Sequence, residues 1–269
     1  MLGDSSTITM IEAIVCDWNK TLFKDAHESE FFTGLIKKVA FSFPNYLNLR
    51  KLYQALEARR ICREIYSKYL INRVVSRQED RARFFGKIIE VLNNRVIEGT
   101  PSSLLKTYVE EYAIGALRRL DWDLLNCLAT VHRKYSTPVL IISSGCATAI
   151  KRTLELAKFP FESVIANDFE MKDDKLISRF NWAIYGNKGL ILQSILRQKG
   201  LSLDEVAFIG DDWEDRDCFR MAKFPIVSFY ADENSRARLV EYLNVFAPRS
   251  AIELESFLLS NTNTVVRVS

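Results

Sequence analysis

The sequence predicts an α/β protein: a doubly wound parallel sheet interrupted by an all-helical insertion. Two observations predict the sheet. Short apolar runs alternate with helical patterning between residues 119 and 260, as they do in strand–helix–strand units. Several of these runs stop at a polar or acidic residue, as at Asp17, Ser143 and Asp211, and ligands bind at the carboxyl edge of such a sheet. A third observation predicts the insertion, since residues 28–118 carry helical periodicity and few strand signals. The expected division is a discontinuous core of residues 11–27 and 119–260, a helical unit of 28–118, and flexible termini at 1–10 and 261–269.

The first element is the apolar run Ile14-Val15-Cys16, which reads as a buried strand and ends at Asp17. A carboxylate there is costly unless something pairs with it, so Asp17 meets a cation or does chemistry; the plainer alternative is a turn cap. Cys16 alternates to the other face of the strand and belongs to the core. In the helical block, three stretches keep helical spacing: Phe31-Phe32-Leu35-Ile36-Val39, Leu49-Leu52-Tyr53-Leu56 and Ile61-Ile65-Tyr69. A further helix is expected after Thr100-Pro101, with Thr100 as its cap and Pro101 in its first turn.

From 124 the chain alternates. A helix over 124–135 precedes the run Val139-Leu140-Ile141-Ile142, which ends at Ser143-Ser144-Gly145. A helix through Ile150, Leu154 and Ala157 leads to the short strand Ser163-Val164-Ile165-Ala166. Residues 169–180 break at Lys172-Asp173-Asp174-Lys175 between apolar flanks and read as a hairpin. A helix over 187–199 stops at Gly200. The run Val206-Ala207-Phe208-Ile209 ends in Gly210-Asp211-Asp212. A helix with Cys218, Phe219 and Ala222, a strand over 225–229 and a helix around 254–259 complete the core.

Composition sets limits on function. The chain has 269 residues, 48% of them apolar and 26% charged, as in a globular protein with a substantial core. A net charge of +3 is too small for a general nucleic-acid binder. No apolar stretch approaches membrane-spanning length, and residues 1–10 carry no secretory-signal pattern. Five cysteines without a CxxC pair argue against a disulfide framework or zinc site and for a reducing, cytoplasmic setting.

Parallel strands bring their carboxyl ends to one edge, so Asp17, Ser143, Lys188 and Asp211 can converge. Phosphoryl transfer to a carboxylate needs such a set: an oxygen nucleophile, a hydroxyl and an ammonium for phosphate oxygens, and carboxylates for a hard cation. Here the chain resembles the haloacid dehalogenase superfamily in all four of its motifs, in order. Ile14 to Leu22 resembles hhhDxDxT, Ile141 to Gly145 the second motif, Lys188 the third, and Gly210 to Asp215 the fourth, GDxxxD. The helical block falls where that family inserts a mobile cap over a Rossmann-like core. The second motif and the hairpin after Asn167-Asp168-Phe169-Glu170 are most similar to the phosphoserine-phosphatase-like branch.

The resemblance implies a Mg²⁺-dependent phosphatase acting on a small-molecule phosphate monoester through an aspartyl-phosphate. Asp17 would be the nucleophile. Mg²⁺ would be held by Asp17, Asp211 and the Asn19 backbone carbonyl, with Asp215 orienting or bound through water. Ser143, Ser144, Gly145 and Lys188 would hold the phosphoryl group, and Thr21 would support the loop. Lys188 also opens a helix, where free N–H groups favour an anion. The plainer readings are a strand-end cap for Ser143, a solvated lysine for Lys188 and a helix-start carboxylate for Asp215.

One departure matters. The family places a second aspartate two residues after the nucleophile to protonate the leaving oxygen and activate water, and here that residue is Asn19. Positioned acid–base help is worth roughly 10²–10⁴ in rate. The alternatives are therefore a phosphotransferase or mutase using the same intermediate, or a non-catalytic phosphometabolite-binding module. Lys20 in place of the motif's glycine is a second departure. His27 could reach the site as a titratable group, whereas His132 reads as half-buried packing. Residues 46–83 carry a run of basic side chains, read first as a solvated face and second as a selector of an anionic substrate tail. The glutamate that the phosphoserine branch carries about nine residues after its nucleophile is missing; Ala26 stands there.

Overall fold

β1 (Ala13–Cys16) is the central strand of a five-stranded parallel sheet ordered β3-β2-β1-β6-β7. The computed structural model describes residues 10–24, 28–41, 49–72, 96–180, 184 and 187–262. In chain order the remaining elements are α1 (Glu28–Phe41), α2 (Leu49–Asn72), α3 (Ser102–Ala116), α4 (Trp122–Tyr135), β2 (Val139–Cys146), α5 (Ala147–Leu156), β3 (Ser163–Asn167), β4 (Phe169–Lys172) and β5 (Lys175–Phe180). After them come α6 (Lys188–Gln198), β6 (Val206–Gly210), α7 (Arg216–Met221), β7 (Phe224–Val227), α8 (Glu233–Leu243) and α9 (Ala251–Asn261).

β1 and β6 are apolar throughout, and β2 is apolar over Val139–Ile142, because both sheet faces are covered there. Side chains alternate across a strand, so Ile14, Cys16, Val139, Ile141, Ala207 and Ile209 join one buried cluster, with α4, α5 and α9. Ala13, Val15, Leu140, Ile142, Val206 and Phe208 join another, with α6, α7 and Leu239 of α8. A third cluster gathers α1, α2 and α3 over Cys146, Ala149, Phe169 and Leu176. The helical block thus packs on the end of β2, the start of α5 and the β4–β5 hairpin. That hairpin turns through Asp173 and Asp174, both left-handed at φ 49° and 56°, as a two-residue turn with matching twist requires.

The expectations are corrected at three points. Thr100 does not cap α3; Pro101 is the N-cap residue, and no side chain caps that end. The hairpin takes the backbone instead, with the Thr100 carbonyl accepting from Leu176 N at 2.8 Å and Ser102 N donating to Asp174 O at 2.7 Å. Helix α8 was not foreseen because only Leu239 in it is buried, which leaves almost no apolar period to read. Asp232 starts that helix by accepting from Ser235 N. At the C-terminus, Asn261 and Thr262 are docked, with Ile11 N donating to Asn261 O at 2.6 Å and Thr262 buried. Residues 1–9 and 263–269 lie outside the described residues, as do His27, Arg73, Arg77, Arg81 and Arg83.

His132 is half-buried, with its Nδ1 2.9 Å from the Thr137 carbonyl. Of the basic run, Arg60 is exposed and faces Glu64 at 3.6 Å. Cys16, Cys127, Cys146 and Cys218 are buried free thiols. No helix among the described residues is long and apolar enough to cross a membrane.

Candidate active site

Asp17 N donates to Ile209 O at 2.8 Å, so pairing with β6 continues one residue past β1 and fixes the carboxylate at the sheet's rim. The chain then folds back on itself. The Trp18 carbonyl accepts from Leu22 N and Phe23 N at 3.1 and 2.9 Å, and the Trp18 and Phe23 rings stack 5.3 Å apart. Asn19 is half-buried and bridges to Phe23 across the turn.

Lys20 sits at φ 52°, a conformation that favours glycine. The glycine of the family motif is thereby explained, and so is the cost of the departure. Two bonds hold Lys20 there: its N–H donates to Phe23 O at 2.8 Å, and its carbonyl accepts from Ser228 Oγ at 2.9 Å. Thr21, expected to brace this loop, is fully buried, but its hydroxyl finds no partner among the described residues. The brace comes from Ser228.

Lys188 is the first residue of α6. Its Nζ donates to Asp17 Oδ1 at 2.7 Å and to Asp215 Oδ1 at 2.5 Å. Asp215 stands at the N-cap position of α7, as a helix-start carboxylate does, but its side chain bonds Lys188 and makes no cap hydrogen bond. Carboxylate oxygens of Asp17, Asp211 and Asp215 lie within 4.8 Å of one another, and all three residues are buried. Asp211 accepts no hydrogen bond from a described residue. Gly210 makes room for the cluster: a Cβ there would lie 2.5 Å from Asp215 Oδ2 and 2.8 Å from the Phe208 ring.

The electrostatics follow from this crowding. Burial, then repulsion from Asp17 and Asp215, holds the Asp211 carboxyl well above the usual carboxylate range. Burial pushes Asp215 up to about 7, with the Lys188 ammonium pulling the other way. Burial also opposes the charge on Lys188, yet Asp17 and Asp215 outweigh it and keep the ammonium protonated well beyond an ordinary lysine. Among the described residues, the Lys188 ammonium is thus outnumbered by three carboxylates. The uncompensated negative charge and the all-oxygen donor set fit a hard divalent cation.

Ser143 lies on β2, the strand beside β1, and is fully buried. Its Oγ accepts from Gly145 N at 3.0 Å, and no hydrogen bond among the described residues links it to the carboxylates. The Ser144 carbonyl accepts from Asn167 Nδ2 at 2.8 Å. Asp17, Lys188, Asp211 and Asp215 are thus in mutual contact, with the Ser143–Gly145 loop on the neighbouring strand. Ser228 and Asn167 were missed, although each ends an apolar run, the same signal that marked Asp17.

A family model for haloacid dehalogenase-like hydrolases matches residues 14–220. The chain belongs to this family. Solved structures share the fold of this haloacid dehalogenase-like hydrolase. A protein of unknown function from Bordetella pertussis Tohama I superposes with a TM-score of 0.63 at 15% identity, over 89% of this chain and 98% of that one. A probable phosphoserine phosphatase from Vibrio cholerae, in unliganded form, gives 0.61 at 13% identity, over 94% of this chain and 68% of that one. A substrate-bound phosphoserine phosphatase gives 0.53 at 15% identity, over 92% and 98%. The sequence matches no curated protein. Asp17, Lys188, Asp211 and Asp215 all lie within the matched residues.

Proposed function

We propose that the chain is a Mg²⁺-dependent phosphomonoesterase that hydrolyses a small phosphate ester through an aspartyl-phosphate on Asp17. The observation that carries this reading is the pair of hydrogen bonds that Lys188 donates to Asp17 and Asp215, beside Asp211. Asp17, Asp211 and Asp215, with the Asn19 carbonyl, would hold the cation, which when bound supplies charge neutralisation for phosphate oxygens. A carboxylate oxygen of Asp17 attacks phosphorus as the ester P–O bond breaks, and the leaving oxygen takes a proton. Water then attacks phosphorus, the Asp17–phosphorus bond breaks, and inorganic phosphate leaves. Lys188 orients the nucleophile and, with the Ser143 hydroxyl, neutralises phosphate oxygens as charge shifts. Residues 28–118 serve as a cap that excludes bulk water, on a core of 11–27 and 119–260.

Asn19 has no titratable proton, so solvent supplies the proton to the leaving oxygen and turnover is slow. The same feature favours a second reading, in which the aspartyl-phosphate lives long enough to be passed to an acceptor alcohol. A screen of phosphate monoesters with Mg²⁺, with and without added alcohols, tests both. Phosphate release that is abolished in Asp17→Asn supports hydrolysis. A phosphorylated acceptor supports transfer. Binding of phosphate esters with neither product refutes catalysis.

A further inference from the structure

Strands β2 and β3 stay in register through Ser143↔Ala166, and the next pair is Cys146↔Asn167. Ser144 and Gly145 therefore form a bulge on β2 with no opposing residues on β3. A bulge breaks the ladder and leaves backbone groups to be satisfied otherwise. Asn167 does this: its Nδ2 donates to the Ser144 carbonyl at 2.8 Å, from a side chain that is 1% exposed. The opposite amide orientation would set oxygen against oxygen, so the direction of the bond is fixed. Its own Oδ1 is buried and has no partner among the described residues. An apolar residue here would leave the buried Ser144 carbonyl unpaired, so the amide is needed to hold the bulge even though its own oxygen is not satisfied. Inside the bulge, the Ser143 Oγ accepts from Gly145 N, which leaves its single proton for another acceptor.

We propose that Asn167 is a positioning residue: it holds the Ser144 carbonyl, and through the bulge it aims the Ser143 hydroxyl proton at an oxygen of the bound phosphoryl group. This rests on the phosphatase reading given above. The carboxylates lie on other elements, so the role concerns the anion and not the metal.

The test is binding of orthovanadate, as a phosphate analogue, to the full chain in saturating Mg²⁺. Asn167→Ala and the isosteric Asn167→Asp, which cannot donate when ionised, are compared with wild type. Both should weaken vanadate about tenfold or more while the Mg²⁺ dissociation constant stays within about twofold. With any ester the wild type hydrolyses, KM should rise by more than kcat falls. Wild type that binds vanadate, with either folded variant binding it within twofold of wild type, overturns the role of Asn167 alone. Equal weakening of Mg²⁺ and vanadate also overturns it, since that marks general damage to the fold. Wild type that binds no vanadate overturns the phosphatase reading, and this role with it.

Discussion

Replacing Lys188 by methionine keeps length and removes the ammonium that bonds Asp17 and Asp215 in a cluster of three buried carboxylates. The side chains of Lys188, Asp17 and Asp215 are 15%, 9% and 4% exposed, so water does little to screen the loss. Breaking a buried pair from one side costs roughly 3–5 kcal/mol. At about 2–4 °C per kcal/mol for a domain of this size, Tm should fall by roughly 6–20 °C near neutral pH without metal. Asp211 and Asp215 are both raised above their unfolded values, the latter to about 7. As pH falls through about 7 Asp215 takes up a proton and no longer needs the lysine, so the deficit of the variant should shrink toward pH 5. Differential scanning fluorimetry of the metal-free protein at about pH 5 and pH 7.5 reads both effects. A Tm loss under about 2 °C near neutrality, or a loss that does not shrink in acid, would refute this account of the cluster.

Three further outcomes are expected. In metal-free wild type, the raised carboxyls bind more protons folded than unfolded between about pH 4 and 7, so stability falls as pH rises through that window. Mg²⁺ should flatten that slope in the same melts by replacing the protons. Gly210→Ala forces a Cβ to 2.5 Å from Asp215 Oδ2; we expect a loss of about 1–3 kcal/mol, seen in denaturant melts, and weakened Mg²⁺ binding by calorimetry. Asn19→Asp restores a titratable proton and should speed phosphate release by about 10²-fold or more in an ester assay; no gain would show that the amide does not stand in for an acid.

The sheet was legible because its central strands are buried on both faces, which writes them as unbroken apolar runs. The rim was legible for a related reason: a carboxylate such as Asp17 or Asp211 at the end of such a run is expensive without a partner. What escaped reading lacked that contrast. Helix α8 buries only Leu239, and Ser228 and Asn167 are neutral polar residues that look like ordinary turn formers. The left-handed backbone at Lys20 had no trace in composition, because lysine gives no sign of positive φ. Thr100 looked like a cap because sequence cannot show that the hairpin of β4 and β5 would claim the same backbone.

The charge of the site places a further demand on the phosphate-binding loop. In the proposed function, the ionised carboxylates of Asp17, Asp211 and Asp215 would be offset by Lys188 and one divalent cation, so these groups together would carry no net charge before an ester arrives. Long-range attraction by net charge is then small, and short-range contacts would hold a phosphate dianion. These are the cation, Lys188, the Ser143 hydroxyl and the N-terminal end of α6, where N–H groups favour an anion. Interactions at contact distance are screened far less by salt than steering by net charge. KM for a phosphate ester should therefore change by less than about threefold between 50 mM and 500 mM NaCl at fixed Mg²⁺. A steep rise in KM with salt would mean that long-range charge, such as the basic run within 46–83, captures the substrate, and would move specificity from the bulge to the helical block.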